Sequence, residues 1–264
     1  MKDVYQHFRP EEKDTIDLFK SKFEIASRDY FPLLLDFLDP RERLILESVS
    51  GGFDDIEIHY YGGGKVGEER ERMRALLVPE LLTHEMEDFE ITVFDMQYPD
   101  KFVSLEHRNV LGAIMNVGVD RSKIGDVVIG DDIQFAVATP YVDLFYEELE
   151  RIKRAPVKLK EIDVQTFSGS VDDGVAKNVM SSSMRLDTVL SNVIGEGRAK
   201  SRDRVEKGKI KVNHTLIEDP AFTVEVGDVI SVRHFGRIAV SEHLGETKKN
   251  KHRLVMKIYS SKSL

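Results

Sequence analysis

The chain has 264 residues, is 41% hydrophobic and 32% charged, contains no cysteine and carries a formal net charge of −9. This composition excludes a disordered polymer, and the missing cysteines exclude a disulfide scaffold, a zinc ribbon and a thiol nucleophile while fitting a reducing compartment. No apolar run reaches the roughly 20 residues that span a bilayer, and the first residues lack the apolar core of a signal peptide, so a cytoplasmic location with no membrane partner is expected.

The charge is uneven. Residues 181–264 hold 16 Lys/Arg against 10 Asp/Glu, a net +6, while the first 180 hold 22 against 37, a net −15. The length allows two or three domains at roughly 100–200 residues each.

Ile16, Leu18, Phe19, Phe23 and Ile25 predict a helix over 10–27. Asp39 and Pro40 read as an N-cap and first helical position, with Leu44, Ile45 and Val49 following at helical spacing. Residues 56–61 alternate like a strand. After Gly62-Gly63-Gly64 a charged helix is expected over 68–77. Further on come a strand at 89–94, a helix at 107–117 and strands at 124–129 and 133–138, joined through Gly130-Asp131-Asp132. A helix over 141–152 and a strand at 157–162 complete the order β-α-β-β-α-β, that of the ferredoxin-like unit. Residues 166–183, rich in Ser, Gly, Asp and Asn, read as a linker with room for one short ordered piece. The last segment predicts short helices at 185–193 and 198–207, strands at 209–213 and 227–233, and a hairpin of 237–244 with 253–259. The expected class is α+β and multidomain: an N-terminal α+β domain (1–83), a central ferredoxin-like or RRM-like domain (84–165), the linker (166–183) and a C-terminal domain ending in a hairpin (184–264).

The strongest chemical signal lies at 197–213, where seven Lys/Arg (198, 200, 202, 204, 207, 209 and 211) crowd a helix, turn and strand of an acidic chain. A basic island of this kind points to a polyanion. Gly208 ends the helix, after which Lys209 and Lys211 alternate outward and Ile210 and Val212 inward, and this predicts a continuous basic surface. A merely solvated helix face stays open on charge alone.

Arg185-Leu186-Asp187, the basic helix, Gly208-Lys209-Ile210-Lys211-Val212-Asn213 and Gly227-Asp228-Val229-Ile230-Ser231-Val232-Arg233 together resemble the S-four RNA-binding domain, or αL motif. Two positions depart from its usual pattern: Gly197 stands where Ser is usual, and His214 where Gly is. The resemblance implies RNA-backbone contacts at Arg198, Arg202, Lys209 and Lys211, and by position at Lys200, Ser201 and Lys207. It places Arg185 and Asp187 chiefly inside the motif, with Arg185 also carried as an RNA contact. Asn213, Arg237, Lys248, Lys249, Lys251 and Arg253 complete the expected RNA-binding set, the last four clustered at a hairpin tip. The whole chain also resembles the bacterial YlmH family, through Leu105-Glu106-His107-Arg108-Asn109-Val110-Leu111-Gly112, Ile124-Gly125-Asp126-Val127 and Gly245-Glu246-Thr247-Lys248-Lys249. That resemblance implies ribosome association, translation and quality control of stalled large subunits.

Other patterns are weaker. Gly62-x-Gly64-x-x-Gly67 matches a dinucleotide fingerprint, but Glu68 and Glu69 would sit where a pyrophosphate belongs. His84-Glu85-Met86-Glu87-Asp88 lacks the second histidine of a zinc-protease helix. His107 and Arg108 are candidates for a second RNA contact, with Arg121 and Lys123 as companions. The central segment has the strand order of an RNA-recognition motif without the aromatic pair that stacks bases.

The expected function is therefore non-enzymatic binding of ribosomal, large-subunit or other structured RNA, with no cofactor, no metal and no catalytic residue. The expected partners are rRNA, tRNA as a further candidate, the ribosome or its large subunit, and a protein for the acidic N-terminal region. The alternatives are an RNA-modifying enzyme, like a pseudouridine synthase, that uses the S-four domain as its anchor, and a scaffold that docks an acidic protein or a membrane surface.

Overall fold

The computed structural model describes residues 4–68, 70–99, 103, 105, 107–130, 132–168, 174–213 and 215–260, with backbone only for His7, His107, Arg108 and Ser260. The chain divides into two compact units, Met1–Val171 and Asp172–Leu264.

The first unit opens with α1 (Lys13–Asp29), β1 (Leu33–Leu38), α2 (Pro40–Ser50), β2 (Ile56–Tyr61) and β3 (Met73–Pro79). Asp39 caps α2 as its sequence predicts: its carboxylate accepts from the Glu42 amide at 2.9 Å, and Glu42 accepts from the Asp39 amide at 2.8 Å. The strands form an antiparallel sheet in the order β1-β3-β2. Phe19 and Phe23 of α1, and Ile45 and Leu46 of α2, pack with Ala75 and Leu77 on one of its faces.

The charged helix expected over 68–77 is instead a loop followed by β3. All seven residues of that strand are buried, so it is covered on both faces, as central strands of layered folds are. The run Arg70-Glu71-Arg72-Met73-Arg74 imitates a solvated helix, yet its three arginines are buried. Each donates to backbone carbonyls: Arg70 to Gly63, Phe167 and Ser168, Arg72 to Phe37, with its buried Nε left unpartnered, and Arg74 to Leu35, Phe89 and Glu90. Gly62 and Gly64 owe their identity to this arrangement. A Cβ on Gly62 would lie 2.7 Å from the Arg70 side chain, and Gly64 has a φ of +92° beside the Arg70 guanidinium. The glycine loop thus folds onto an arginine.

Next come β4 (Ile91–Gln97), α3 (His107–Asn116), β5 (Ile124–Ile129), β6 (Ile133–Ala138), α4 (Val142–Glu148), a small hairpin of β7 (Arg151–Ile152) with β8 (Ala155–Pro156), and β9 (Lys158–Ile162). The helix expected over 141–152 is cut to one element of seven residues, because the chain turns into β7 after Leu149. The antiparallel sheet has the order β5-β6-β4-β9, the expected ferredoxin-like arrangement. Phe94, Phe135 and Leu159 face Val110, Ile114 and Phe145 of the helices. Val93, Val128, Ala136 and Ala138 face the other way and bury against Phe37 and Phe167. A bulge between Leu34 and Phe37 turns Phe37 toward this second sheet, where Gly125 leaves it room: a Cβ there would come 2.8 Å from the Phe37 ring. Asp126, beside it, accepts the Glu71 and Arg72 amides at 2.9 Å each.

The second unit contains β10 (Val175–Ser181), α5 (Leu186–Ile194), α6 (Arg198–Glu206), β11 (Ile210–Val212), β12 (Thr215–Leu216), β13 (Val229–Val232), β14 (Gly236–Glu246) and β15 (His252–Ser260). Its antiparallel sheet has the order β10-β15-β14-β13-β11-β12. The stretch 166–183, read as a linker, therefore carries a strand: β10 pairs with β15 from Val175↔Ile258 to Ser181↔His252. Its polar composition suits an edge strand with mostly exposed residues. Leu186, Val189, Leu190 and Val205 of the two helices pack on Ile210, Val212, Ile230 and Ile238.

Candidate nucleic-acid interface

The short helix α5 leads into the basic helix α6 through Gly195, whose φ of +77° ends α5 in the left-handed region. Gly197 takes the N-cap position of α6 and offers no capping side chain, a loss of only a few tenths of a kcal/mol relative to Ser. Only Ser201 and Val205 of α6 turn inward. Arg198, Lys200, Arg202 and Lys207 are exposed, with 58%, 68%, 63% and 60% of their side-chain surface open.

Each of these cations holds a carboxylate. Arg198 lies 3.4 Å from Asp187, Lys200 3.4 Å from Glu196, Arg202 2.7 Å from Glu206 and Lys207 2.8 Å from Asp203. The Arg202–Glu206 and Lys207–Asp203 pairs are exposed on both sides and worth about 0.2–1 kcal/mol each, so a phosphate can displace those acids at little cost. The pairing changes character at the buried acids. Asp187 is buried and takes two hydrogen bonds from Arg185, at 3.2 and 3.1 Å. Burial pushes its carboxyl up, but the bonds from Arg185 and Thr188 and the Arg198 and Arg185 charges prevail and hold it below the usual range. Glu196 is lowered in the same way: burial raises it, and the bonds from Arg204 and Ser201 with the Arg204 charge outweigh that. Asp187 and Glu196 thus fix the two helices to each other.

Ser201 is fully buried and donates to Glu196 at 3.0 Å. It is corrected from an RNA contact to a structural residue, since a hydroxyl with no open surface cannot meet a phosphate. Asn213, at a φ of +47°, donates to Asp228 at 2.8 Å and accepts from the Val229 amide at 2.9 Å. Its side chain locks β11 to the Gly227-Asp228 turn and is likewise committed to the fold. His214 and the side chains of His107 and Arg108 lie outside the described residues. Arg121 donates to the Ile124 and Gly125 carbonyls, and Lys123 pairs with Asp36 at 2.5 Å, so both of these companions serve the fold.

On β11, Ile210 and Val212 share the core with Val205 of α6. Lys211, between them, therefore points away from the helix layer. The basic surface wraps around the strand edge instead of continuing flat from the helix. On the outer sheet face, register aligns Lys211 with Ser231, Ser231 with Arg237 and Arg237 with Tyr259. The Arg237 guanidinium sits 5.3 Å from the Tyr259 ring centre. Two cations absent from the sequence-based set belong here. Arg233 is exposed, and its amide donates to the Lys209 carbonyl at 3.0 Å. Lys257 lies opposite Ala239 in the register that follows the Arg237 row. The usable signal was period-two spacing: 209 and 211, 231 and 233, 257 and 259.

Beyond Val240, β14 leaves the core, and residues 241–244 are all exposed. This outer half of the hairpin is held by a contact between His243 and His252 at 3.2 Å and by Arg253 donating to the Leu244 carbonyl at 2.6 Å. Thr247 folds the tip by accepting from the Lys249 and Lys251 amides. Lys248, Lys249 and Lys251 are exposed there, as expected. Among the described residues no group of acids and histidines could hold a metal ion, and no helix is long and apolar enough to cross a membrane.

Known proteins place these features in a family context. Residues 84–166 match the family model described as "Putative RNA-binding domain in YlmH", and residues 184–230 match the S4 domain. Over 255 residues, 96% of this chain and 98% of its relative, the sequence is 39% identical to the ribosome-associated protein quality control protein P2 of Bacillus subtilis (strain 168). A solved structure, the cell division protein ylmH from Streptococcus pneumoniae, aligns with a TM-score of 0.51 at 28% identity, covering 60% of this chain and 95% of that one.

Proposed function

The chain belongs to the YlmH family of RNA-binding proteins with a C-terminal S4 domain, and on that premise we propose that it is a non-enzymatic, cytoplasmic protein that grips structured RNA of the large ribosomal subunit in ribosome-associated quality control. The observation that carries the reading is the exposed basic surface of α6 and β11. Arg202 and Lys207 have exposed partners that exchange easily, Arg198 and Lys200 reach solvent from buried acids, and Lys209 and Lys211 form no salt bridge among the described residues. A surface of this kind recognises RNA through shape and phosphate charge. The hairpin tip, with Lys248, Lys249, Lys251 and Arg253, extends the same grip, and a tRNA bound beside the rRNA is within the same chemistry. The acidic first unit keeps away from bulk RNA, and its contacts are assigned to a protein partner or to one narrow RNA feature.

The enzyme alternative needs a catalytic Asp in an Arg-Leu-Asp setting. Asp187 is buried and held by Arg185, Thr188 and Arg198, which supports a structural carboxylate instead.

The test is co-sedimentation of the full chain with large ribosomal subunits. Arg198→Glu is unsuitable, because it sets a second carboxylate against Asp187. The variant Arg202→Glu, Lys209→Glu, Lys211→Glu reverses two exposed cations and the half-buried Lys209, and it is expected to lose co-sedimentation at physiological salt while its thermal midpoint holds. Undiminished co-sedimentation overturns the reading.

A further inference from the structure

The ferredoxin-like sheet has no open face. Helices α3 and α4 cover one side, and Phe37 and Phe167 with the three-stranded sheet cover the other. RNA at residues 84–166 must therefore use helices, loops or edges, since the surface on which an RNA-recognition motif stacks bases is buried here.

One stretch of this acidic unit is dense in exposed cations. Arg151-Ile152-Lys153-Arg154-Ala155-Pro156-Val157-Lys158-Leu159-Lys160 contains five Lys/Arg and no acid. Ile152, Ala155 and Leu159 are buried, and all five cations are exposed. None of the five forms a salt bridge among the described residues, in contrast to the paired cations of α6. Lys153 is held at a φ of +56° at the tip of the β7–β8 hairpin, so the pairing of Ile152 with Ala155 fixes where the tip cations stand.

The hairpin leans on α3. Between them runs a groove bordered by Asn109, Gly112 and Asn116 of α3 and by Arg151 and Lys153, with Glu148 on the remaining wall. Its volume of about 330 Å³ is at the lower end for small-molecule pockets, and its lining is mixed, an apolar floor of Ala113, Leu149 and Ile152 rimmed by two asparagines and the Arg151 and Lys153 cations. It suits a polyanion lying along it better than an enclosed cofactor. Gly112 supports this. Glycine destabilises a helix interior, yet a Cβ at 112 would meet nothing within 4 Å. Packing within the chain does not demand glycine there, and its bareness keeps the groove floor clear.

We propose that the groove between α3 and the β7–β8 hairpin is a second RNA-backbone site, distinct from the S4 surface. Arg151, Lys153 and Arg154 contact phosphates, and the Asn109 and Asn116 amides face sugars or base edges. Glu148 and the neighbouring Glu147 and Glu150 repel the backbone from the α4 side and confine it to the hairpin. The inference rests on the RNA-binding reading above.

The test compares full-length wild type, the hairpin variant Arg151→Ala, Lys153→Ala, Arg154→Ala and the S4 variant Arg202→Ala, Lys209→Ala, Lys211→Ala, all binding purified large ribosomal subunits over a salt series. Each lost phosphate contact lowers the slope of log K against log salt by about 0.9, so three lost contacts lower it by about 2.7. The same reduction is expected for either variant, and ultraviolet crosslinking should place RNA on peptides from 107–116 and 151–160. A wild-type slope in the hairpin variant with a reduced slope in the S4 variant overturns this site and leaves the S4 reading intact. Wild-type slopes in both variants overturn both. Weaker binding of the hairpin variant at unchanged slope, with crosslinks from 151–160 to a ribosomal protein, overturns the RNA assignment in favour of an acidic protein surface.

Discussion

The two compact units use arginine in opposite ways. In the first, Arg70, Arg72 and Arg74 are buried and bind the backbone carbonyls of neighbouring layers. In the second, Arg202 stands in solvent against Glu206, a carboxylate it can release. The sequences are similarly dense in charge, Arg70-Glu71-Arg72-Met73-Arg74 against Arg202-Asp203-Arg204-Val205-Glu206. What differs is the backbone beneath them. β3, covered on both faces, and the segment just before it bury all three guanidinium groups, whereas α6, with one face on the core, buries only Ser201 and Val205. Burial commits a guanidinium to the fold, because removing it strands the acceptors it served. Exposure leaves it free for a ligand.

The sharpest way to break this contrast is Arg74→Ala, which orphans the Leu35, Phe89 and Glu90 carbonyls. It should destabilise the first unit by about 3–5 kcal/mol, read by chemical denaturation, and leave the RNA affinity of the second unit unchanged; a loss below 1 kcal/mol would mean that water replaces the guanidinium. Asp126→Ala comes next. It strands the buried Arg72 amide and loosens the half-buried Glu71 one, and should cost about 1–3 kcal/mol, again in the first unit alone.

Asp187→Asn probes the boundary between the two uses, since Asp187 is a buried acid that orders exposed cations. Its folded pKa lies below the ordinary carboxylate value near 3.9. The stability it supplies is therefore fully present above that value and is lost as pH falls through the lowered folded one. At pH 7 the variant should be less stable by about 1–3 kcal/mol, with the gap to wild type closing on acidification below pH 3.9. A gap that stays constant down to full protonation would show that the charge of Asp187 is irrelevant. The smallest effect is expected from Lys248→Ala, Lys249→Ala, Lys251→Ala: no change in melting, and a salt slope for RNA binding lowered by up to about 2.7.

The β-α-β-β-α-β order, the capped α2 and the S4 motif were legible because each is encoded locally, in period, in Asp39-Pro40-Arg41-Glu42 or in spacing around Gly208 and Gly227. The misreadings share one cause. β3 and β10 are strands by virtue of distant partners, and neither the charge of 70–74 nor the polarity of 175–181 announces them. The same limit applied to the interface: charge located α6, but only tertiary packing reveals that Ser201 is shut in and that Lys211 faces the far side of the sheet. The cations at 151–160 escaped notice because residues 141–152 passed for one helix, which concealed the hairpin that gathers them.

The pairing of β10 with β15 has a consequence for how the protein comes into being. A nascent chain carries α5, α6 and β11 out well before β15, the strand that lies between β10 and β14 in the finished sheet. Between Asn213 and Ser260 translation takes about 2–10 s at typical rates, and during that interval Leu186, Leu190 and Val205 have no completed sheet to cover them. A product cut short near residue 250 would keep every cation of α6 and still lack the framework that aligns them. The core beneath the S4 surface is thus complete only once β15 has delivered Leu254 and Met256.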